Sequence, residues 1–342
     1  MTAADVKTGE GTQTGLNERI VRYRDLVPCR NAFIDTRTPG SQEKENFTII
    51  GPGVSENPEQ YVHIAEPHGF NIGGARQPPH CVNSQHSHDT AETFVVHSGR
   101  WRFDFGEEGT DAQVEAGPGD IVSFPTQAFR GFVNIGTDTG FLWSVLGGDD
   151  PGRVLWAPKV FALARDYGLM LMENGALVDT ARGDRPPEGI RPMTPTSAAD
   201  VARLSRISQN VANGLVVRAE AQGVSGQGWG QLPGVAELAI IGAASPDENL
   251  PAGAFAWPHG FSVRKLTLQQ GAAIPDHRRA AAEVLFVHAG ALEIVVDGAA
   301  ARLDPGDTIT IPVGARRAYG SAEGATVFVV HGGDRAVPVE NA

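Results

Sequence analysis

The segment Gln85-His-Ser-His-Asp-Thr-Ala-Glu-Thr-Phe-Val-Val-His-Ser-Gly99 has a counterpart in Asp276-His-Arg-Arg-Ala-Ala-Ala-Glu-Val-Leu-Phe-Val-His-Ala-Gly290. The two align without a gap, His86 on His277, Glu92 on Glu283, His97 on His288 and Gly99 on Gly290, all 191 positions apart. Upstream, the same offset carries Pro67-His68-Gly69-Phe70 onto Pro258-His259-Gly260-Phe261. Downstream, Gly119-Asp120, Pro125 and Arg130 fall on Gly306-Asp307, Pro312 and Arg317 at an offset of 187, so one hairpin is about four residues shorter in the second copy. Gly147-Gly148-Asp149 ends one copy and Gly332-Gly333-Asp334 the other. Chance does not give so many matches with a single small gap. The chain is an internal duplication.

Each copy reads as short strands. Glu92–His97 and Glu283–His288 are β-branched and aromatic and close on Ser98-Gly99 and Ala289-Gly290 turns. Trp101–Phe105 alternates apolar and polar residues, and Leu292–Val296 does so in part. Asp120–Pro125 and Asp307–Pro312 follow Pro-Gly turns and stop at a proline, where a ladder loses a donor. Many short strands divided by 42 glycines and 23 prolines predict an all-β fold of two sandwiches or barrels. The expected domains are an N-terminal arm over 1–57, a first barrel over 58–150, a partly helical linker over 151–250 and a second barrel over 251–342. In the linker, Val160, Phe161, Ala164 and Tyr167 have helical spacing; a second helix is expected from Ser197, carrying Val201, Leu204 and Ile207 inward. The first dozen residues read as disordered.

The chemistry concentrates in the first copy, at His86-x-His88-x3-Glu92. Side chains alternate along a strand, so His86 and His88 share a face, and Glu92 opens the next strand at the same barrel mouth. Two imidazoles and one carboxylate form a divalent-metal site that leaves coordination positions open. The set suits non-haem Fe(II), with open positions for substrate and dioxygen, and also Mn, Ni, Cu or Zn. In the second copy His277 and Glu283 are the weaker candidates, because Arg279 and Arg317 set two positive charges beside them and favour a buried ion pair. Arg130 is the candidate catalytic residue: a planar fork for a carboxylate or phenolate, with an interior pair to Glu92 as its other reading. His97 and His288 turn to the opposite face as packing residues, His68 and His259 belong to a turn, and His80 or Cys81 could edge the cavity. His331 has no histidine counterpart, since Leu146 stands at its place, and Trp101, Trp143 and Phe94 read as core aromatics.

These residues resemble the two motifs of the cupin superfamily, Gly-x5-His-x-His-x3,4-Glu-x6-Gly and Gly-x5-Pro-x-Gly-x2-His-x3-Asn. The first copy matches at His86, His88, Glu92, Gly99, Gly119, Pro125 and Asn134, and departs at His80 and Gln127, where glycine is expected, and at Arg130, where the fourth ligand stands. The second matches at Gly271, His277, Glu283, Gly290, Gly306, Pro312 and Gly314, and departs at Arg279 and Arg317. The resemblance implies a bicupin of two double-stranded β-helix, or jelly-roll, barrels. A narrower likeness lies in Phe129–Asp138, Val145–Asp150 and Trp156-Ala157-Pro158, which resemble the large subunit of two-component hydroquinone 1,2-dioxygenases. That likeness implies Fe(II), O2, a small aromatic substrate and a smaller second subunit. It also implies iron held in the C-terminal barrel, where His277 and Glu283 fit and Arg317 replaces the third ligand. The expected function is a ring-cleaving dioxygenase. The alternatives are another metal-dependent cupin enzyme, such as a flavonol-type dioxygenase or an isomerase, and a metal-free binding or scaffolding subunit.

Composition narrows the partners. With 40 acidic residues against 28 Lys and Arg, the net charge is −12, which argues against nucleic acid and anionic membrane. No run of eighteen apolar residues occurs, and the polar start lacks a signal-peptide core. Cys29 and Cys81, the two cysteines, are too far apart in sequence for a metal pair. A cytoplasmic, disulfide-free homo-oligomer is expected.

Overall fold

Strand order follows from the duplication. A computed structural model describes residues 9–220, 228–255, 257–334 and 339–341. Two units result: Val27–Ala221, and Met1–Leu26 with Gln222–Ala342. The first unit has a seven-stranded sheet in the order Val216–Val217, Ile121–Phe124, Glu92–Ser98, Gly140–Gly147, Phe70–Gln77, Glu45–Ile50, Val62–Ile64. Its five-stranded sheet runs Val154–Trp156, Val82–His88, Arg130–Asn134, Trp101–Phe105, Ala112–Ala116. The second unit repeats both orders. Ile20–Val21, Thr308–Ile311, Glu283–Gly290, Ala325–Gly332, Phe261–Leu268 and Val235–Ile241 form one sheet. Ala299–Leu303, Leu292–Val296, Arg317–Gly320, Ala273–Arg279 and Val339–Asn341 form the other. Each unit is a cupin-type barrel, and the fold is all-β as expected.

The repeated turns have structural work. The Asp149 carboxylate accepts from the backbone N–H groups of His68 (3.1 Å) and Gly69 (2.6 Å). Asp334 does the same for His259 (2.7 Å) and Gly260 (3.0 Å). Pro-His-Gly-Phe at the start of each copy is thus tied to Gly-Gly-Asp at its end. The short hairpin of the second copy is Asp297-Gly298, with φ of 47° and 87°, the two positive φ values of a tight hairpin turn. Gly106 to Asp111 form the longer loop of the first copy. Side chains such as Leu285, Val287, Ile294, Ile309 and Val327 fill the second barrel's core, each worth about 1.5–3 kcal/mol when fully buried.

The regions outside the barrels differ from expectation in three places. Residues 9–17 form a helix rather than a disordered start, and residues 1–8 lie outside the described residues. The stretch 1–57 is divided: Ile20 pairs with Ile309 on the second barrel's sheet, whereas Glu45–Ile50 pairs with Phe70–Gln77 in the first. Within 151–250, Val154–Trp156 and Val216–Val217 extend the first barrel's sheets, and Val235–Ile241 extends the second's. Sheet edges carry unpaired backbone groups, and these short strands cover them. Pro158–Asp166 is helical and buries Val160, Phe161 and Ala164. The helix at Ser197 is one turn only, Ala198–Val201, capped by the Ser197 hydroxyl; Ile207 is buried beyond it.

Candidate metal centre

Strand Val82–His88 lies between Arg130–Asn134 and Val154–Trp156, so His86 stands opposite Arg130 on one side and Trp156 on the other. His88 shares its face, and Glu92 begins the next strand. One ligand atom from each of His86, His88 and Glu92 lies within 4.8 Å of the others, the one such group of three among the described residues. All three are buried. His86 Nδ1 is 2.7 Å from the Ser84 carbonyl, which places its proton there and leaves the Nε2 lone pair to a ligand. Burial first, and then the Arg130 charge, hold both imidazoles well below their usual pKa, so they are neutral, as ligation requires. His88 Nδ1 is buried with no partner among the described residues.

Arg130 Nη2 donates to Glu92 Oε2 at 2.6 Å, and His88 Nε2 is 3.8 Å from the same oxygen. The guanidinium lies over the Phe124 ring at 5.5 Å. Arg130 and His88 thus meet at the same oxygen of the Glu92 carboxylate. Neutral imidazoles, an orphaned ring nitrogen and a carboxylate fit a divalent ion.

The triad lines a cavity of about 70 Å³. Phe33, Phe94, Phe132, Leu146 and Trp156 supply apolar wall, and no Lys or Arg lines it. Phe94, read from sequence as a core aromatic, is therefore a cavity residue. Arg130 pairs with Glu92 and is not among the lining residues, and its Nε and Nη1 are buried with no partner among the described residues. His80 is exposed and Cys81 buried, and neither lines the cavity. His97 and His288 pack edge-on against Phe141 and Phe328.

The second barrel keeps the frame and changes the contents. His277 Nδ1 is 2.9 Å from the Pro275 carbonyl, the arrangement of His86, and His277 stands opposite Arg317 as His86 does opposite Arg130. Glu283, however, is enclosed. Arg279 Nε lies at 3.1 Å, Arg317 Nη1 at 3.5 Å, His331 Nε2 at 2.7 Å, and the Tyr319 hydroxyl donates to it. Burial alone would raise the Glu283 carboxyl; the His331 hydrogen bond and the two guanidiniums hold it well below the usual range. His331 and Tyr319 were not legible as partners of Glu283, because strand pairing rather than sequence spacing brings them there. His331 is the direct neighbour of Glu283 across the ladder.

The cupin domain matches the chain twice, over residues 75–145 and 264–331, one match in each unit. Fold and repeat together give two barrels of the cupin type. Among solved structures it is similar to oxalate decarboxylase from Bacillus subtilis, at a TM-score of 0.54 and 12% identity over 94% of this chain and 78% of that one. That enzyme has Mn(II) centres. It is also similar to vicilin from Corylus avellana, the hazelnut, at 0.53 and 13% over 95% and 88%. At such identities the likeness carries the fold alone, and it does not carry the hydroquinone 1,2-dioxygenase likeness. No curated protein matches the chain.

Proposed function

We propose that the chain is a metal-dependent cupin enzyme with one active centre, in the first barrel, where His86, His88 and Glu92 hold a divalent cation. The observation that carries this reading is the convergence of three ligand atoms on an apolar-walled cavity, set against a second barrel whose carboxylate is consumed by Arg279 and Arg317. A bound cation would supply Lewis-acid polarisation of a substrate oxygen and, as Fe(II), access to dioxygen chemistry. The chain's own residues set the rest. Ser84 fixes the His86 tautomer, Arg130 holds the Glu92 carboxylate, and Phe94, Phe132 and Trp156 exclude water.

Between the chemistry of oxalate decarboxylase and oxidation of a small aromatic, the wall favours the aromatic. Beside the proposed cation a small dianion would find no Lys or Arg on the lining, whereas its aromatic side chains suit a flat ring. The finer reading is accordingly an Fe(II)-dependent, ring-cleaving dioxygenase of a hydroquinone-like substrate. Anaerobic loading with Fe(II) or Mn(II), followed by oxygen uptake on hydroxylated aromatics and CO2 release from oxalate, tests it, with any co-encoded small subunit present. Uptake of about one O2 per hydroquinone supports ring cleavage. No uptake on any hydroxylated aromatic sinks the dioxygenase reading, and less than about 0.2 metal per chain sinks the centre itself.

A further inference from the structure

The two barrels share one strand register, so the strand residues of the first-barrel cavity have twins in the second. Gly73 lies between Thr48 and Ser144 across the strands; its twin Arg264 lies between Ala239 and Val329. Asn46 stands opposite Ala75, and its twin Glu237 opposite Leu266. Cross-strand partners share a face, and Ser144 also stands opposite Phe94. Asn46, Gly73 and Ser144 therefore face the same cavity as Phe94 and Glu92.

In the second barrel this place is full. Arg264 is buried, donates to Glu237 at 3.0 Å and grips both oxygens of Glu248 at 3.0 and 2.6 Å. In the first barrel the arginine is a glycine, and the carboxylate that received it is an amide. Asn46 Nδ2 is buried with no partner among the described residues. Buried donors are rarely left so, and an orphaned one on a cavity wall marks where an acceptor arrives.

We propose that Asn46 is a substrate-positioning residue, donating from Nδ2 to an oxygen of a substrate that fills the space taken in the second barrel by the Arg264 side chain. The proposal rests on the first-barrel centre argued above and deepens it. The substrate is a small, flat, largely apolar molecule with two oxygen functions, one for the metal side of the cavity and an acceptor for Asn46. Gly73 puts no side chain on that wall, and none fits without a shift: a Cβ there would lie 2.9 Å from Ser144 Oγ and 3.2 Å from the Phe47 carbonyl oxygen.

The test uses the full chain loaded with Zn(II), which prevents turnover, and calorimetric titration with two probes. 4-Hydroxybenzaldehyde carries a second oxygen acceptor; 4-ethylphenol has similar bulk without one. Asn46→Asp keeps the shape and removes the donor, and Asn46→Ser guards against a folding defect, with metal content and melting checked for both. Each variant should weaken the aldehyde about tenfold and leave 4-ethylphenol within about twofold. Equal effects on both probes, or no effect on the aldehyde, overturn the role of Asn46 while leaving the metal centre standing. Metal-loaded protein that binds neither probe also overturns the proposal alone. Protein that takes up no metal overturns the reading beneath it, and the proposal with it.

Discussion

Arg130 sets the electrostatics of the centre through its bond to Glu92. Both groups are buried, so removing one partner leaves an uncompensated charge, at a cost of about 3–5 kcal/mol. Arg130→Ala should therefore melt lower than wild type without metal, and a divalent cation should restore much of the difference, because Glu92 then has a cation to pair with. Thermal melts with and without Fe(II) or Mn(II) check this; equal losses in both conditions would place Arg130 outside the metal's electrostatics. Glu56 gives a second prediction. Its oxygens accept from Trp156 Nε1 at 2.6 Å and Ile34 N at 2.7 Å, and burial pushes its carboxyl up to about 8. The native protein thus keeps a proton that the unfolded chain releases above 4.5. That stabilisation is complete below 4.5 and is lost as pH rises through about 8. Glu56→Gln removes the loss. The melting temperature of the variant minus that of wild type should rise between about pH 5 and about pH 8.5, while the histidine titrations cancel in the difference. A difference independent of pH would show that Glu56 is ionised throughout.

Two turns carry strain that the repeat makes visible. His80 and Gln127 have φ of 65° and 55°, whereas their twins are glycines, Gly271 at 77° and Gly314 at 70°. The backbone has kept the left-handed conformation after the glycine was lost. Gln127 is exposed, and its backbone N–H still reaches the His88 carbonyl at 3.3 Å, as that of Gly314 reaches Arg279 at 2.9 Å. Gln127→Gly should stabilise the protein by about 1 kcal/mol, measured by denaturant unfolding, because a left-handed side chain costs about 1–2 kcal/mol and the added chain entropy returns part of it. A destabilised variant would mean that the Gln127 side chain holds the turn. Both glycine positions were legible in the sequence as departures from the cupin motifs, and so were the strands with a clear period of two. Ile20–Val21 and Val216–Val217 were not legible, since two residues have no period. The helix at Ser197 was overread: its apolar spacing continues to Ile207, but the chain leaves the helix after one turn. Asn46 has a signal only once the register, Asn46 opposite Ala75 and Glu237 opposite Leu266, makes the two equivalent positions of the repeat.

At the scale of the whole chain, duplication has given two barrels of one design and different contents. One holds a triad beside an apolar cavity; the other sets Arg264, Arg279 and Arg317 against Glu237, Glu248 and Glu283 in its interior. The second arrangement balances its own charge, so it needs no cation. Glu283→Gln should lower stability by about 3–5 kcal/mol, by stranding buried guanidiniums, without changing metal content at temperatures where the variant is folded. A variant as stable as wild type would show that the network is not a unit. The most direct measurement is metal stoichiometry after anaerobic loading with Fe(II) or Mn(II) and desalting, compared among wild type, His88→Ala and His277→Ala. A first-barrel centre predicts about one ion per chain in wild type and in His277→Ala, and less than about 0.2 in His88→Ala. About two ions per chain in wild type, or metal lost in His277→Ala and kept in His88→Ala, would contradict it.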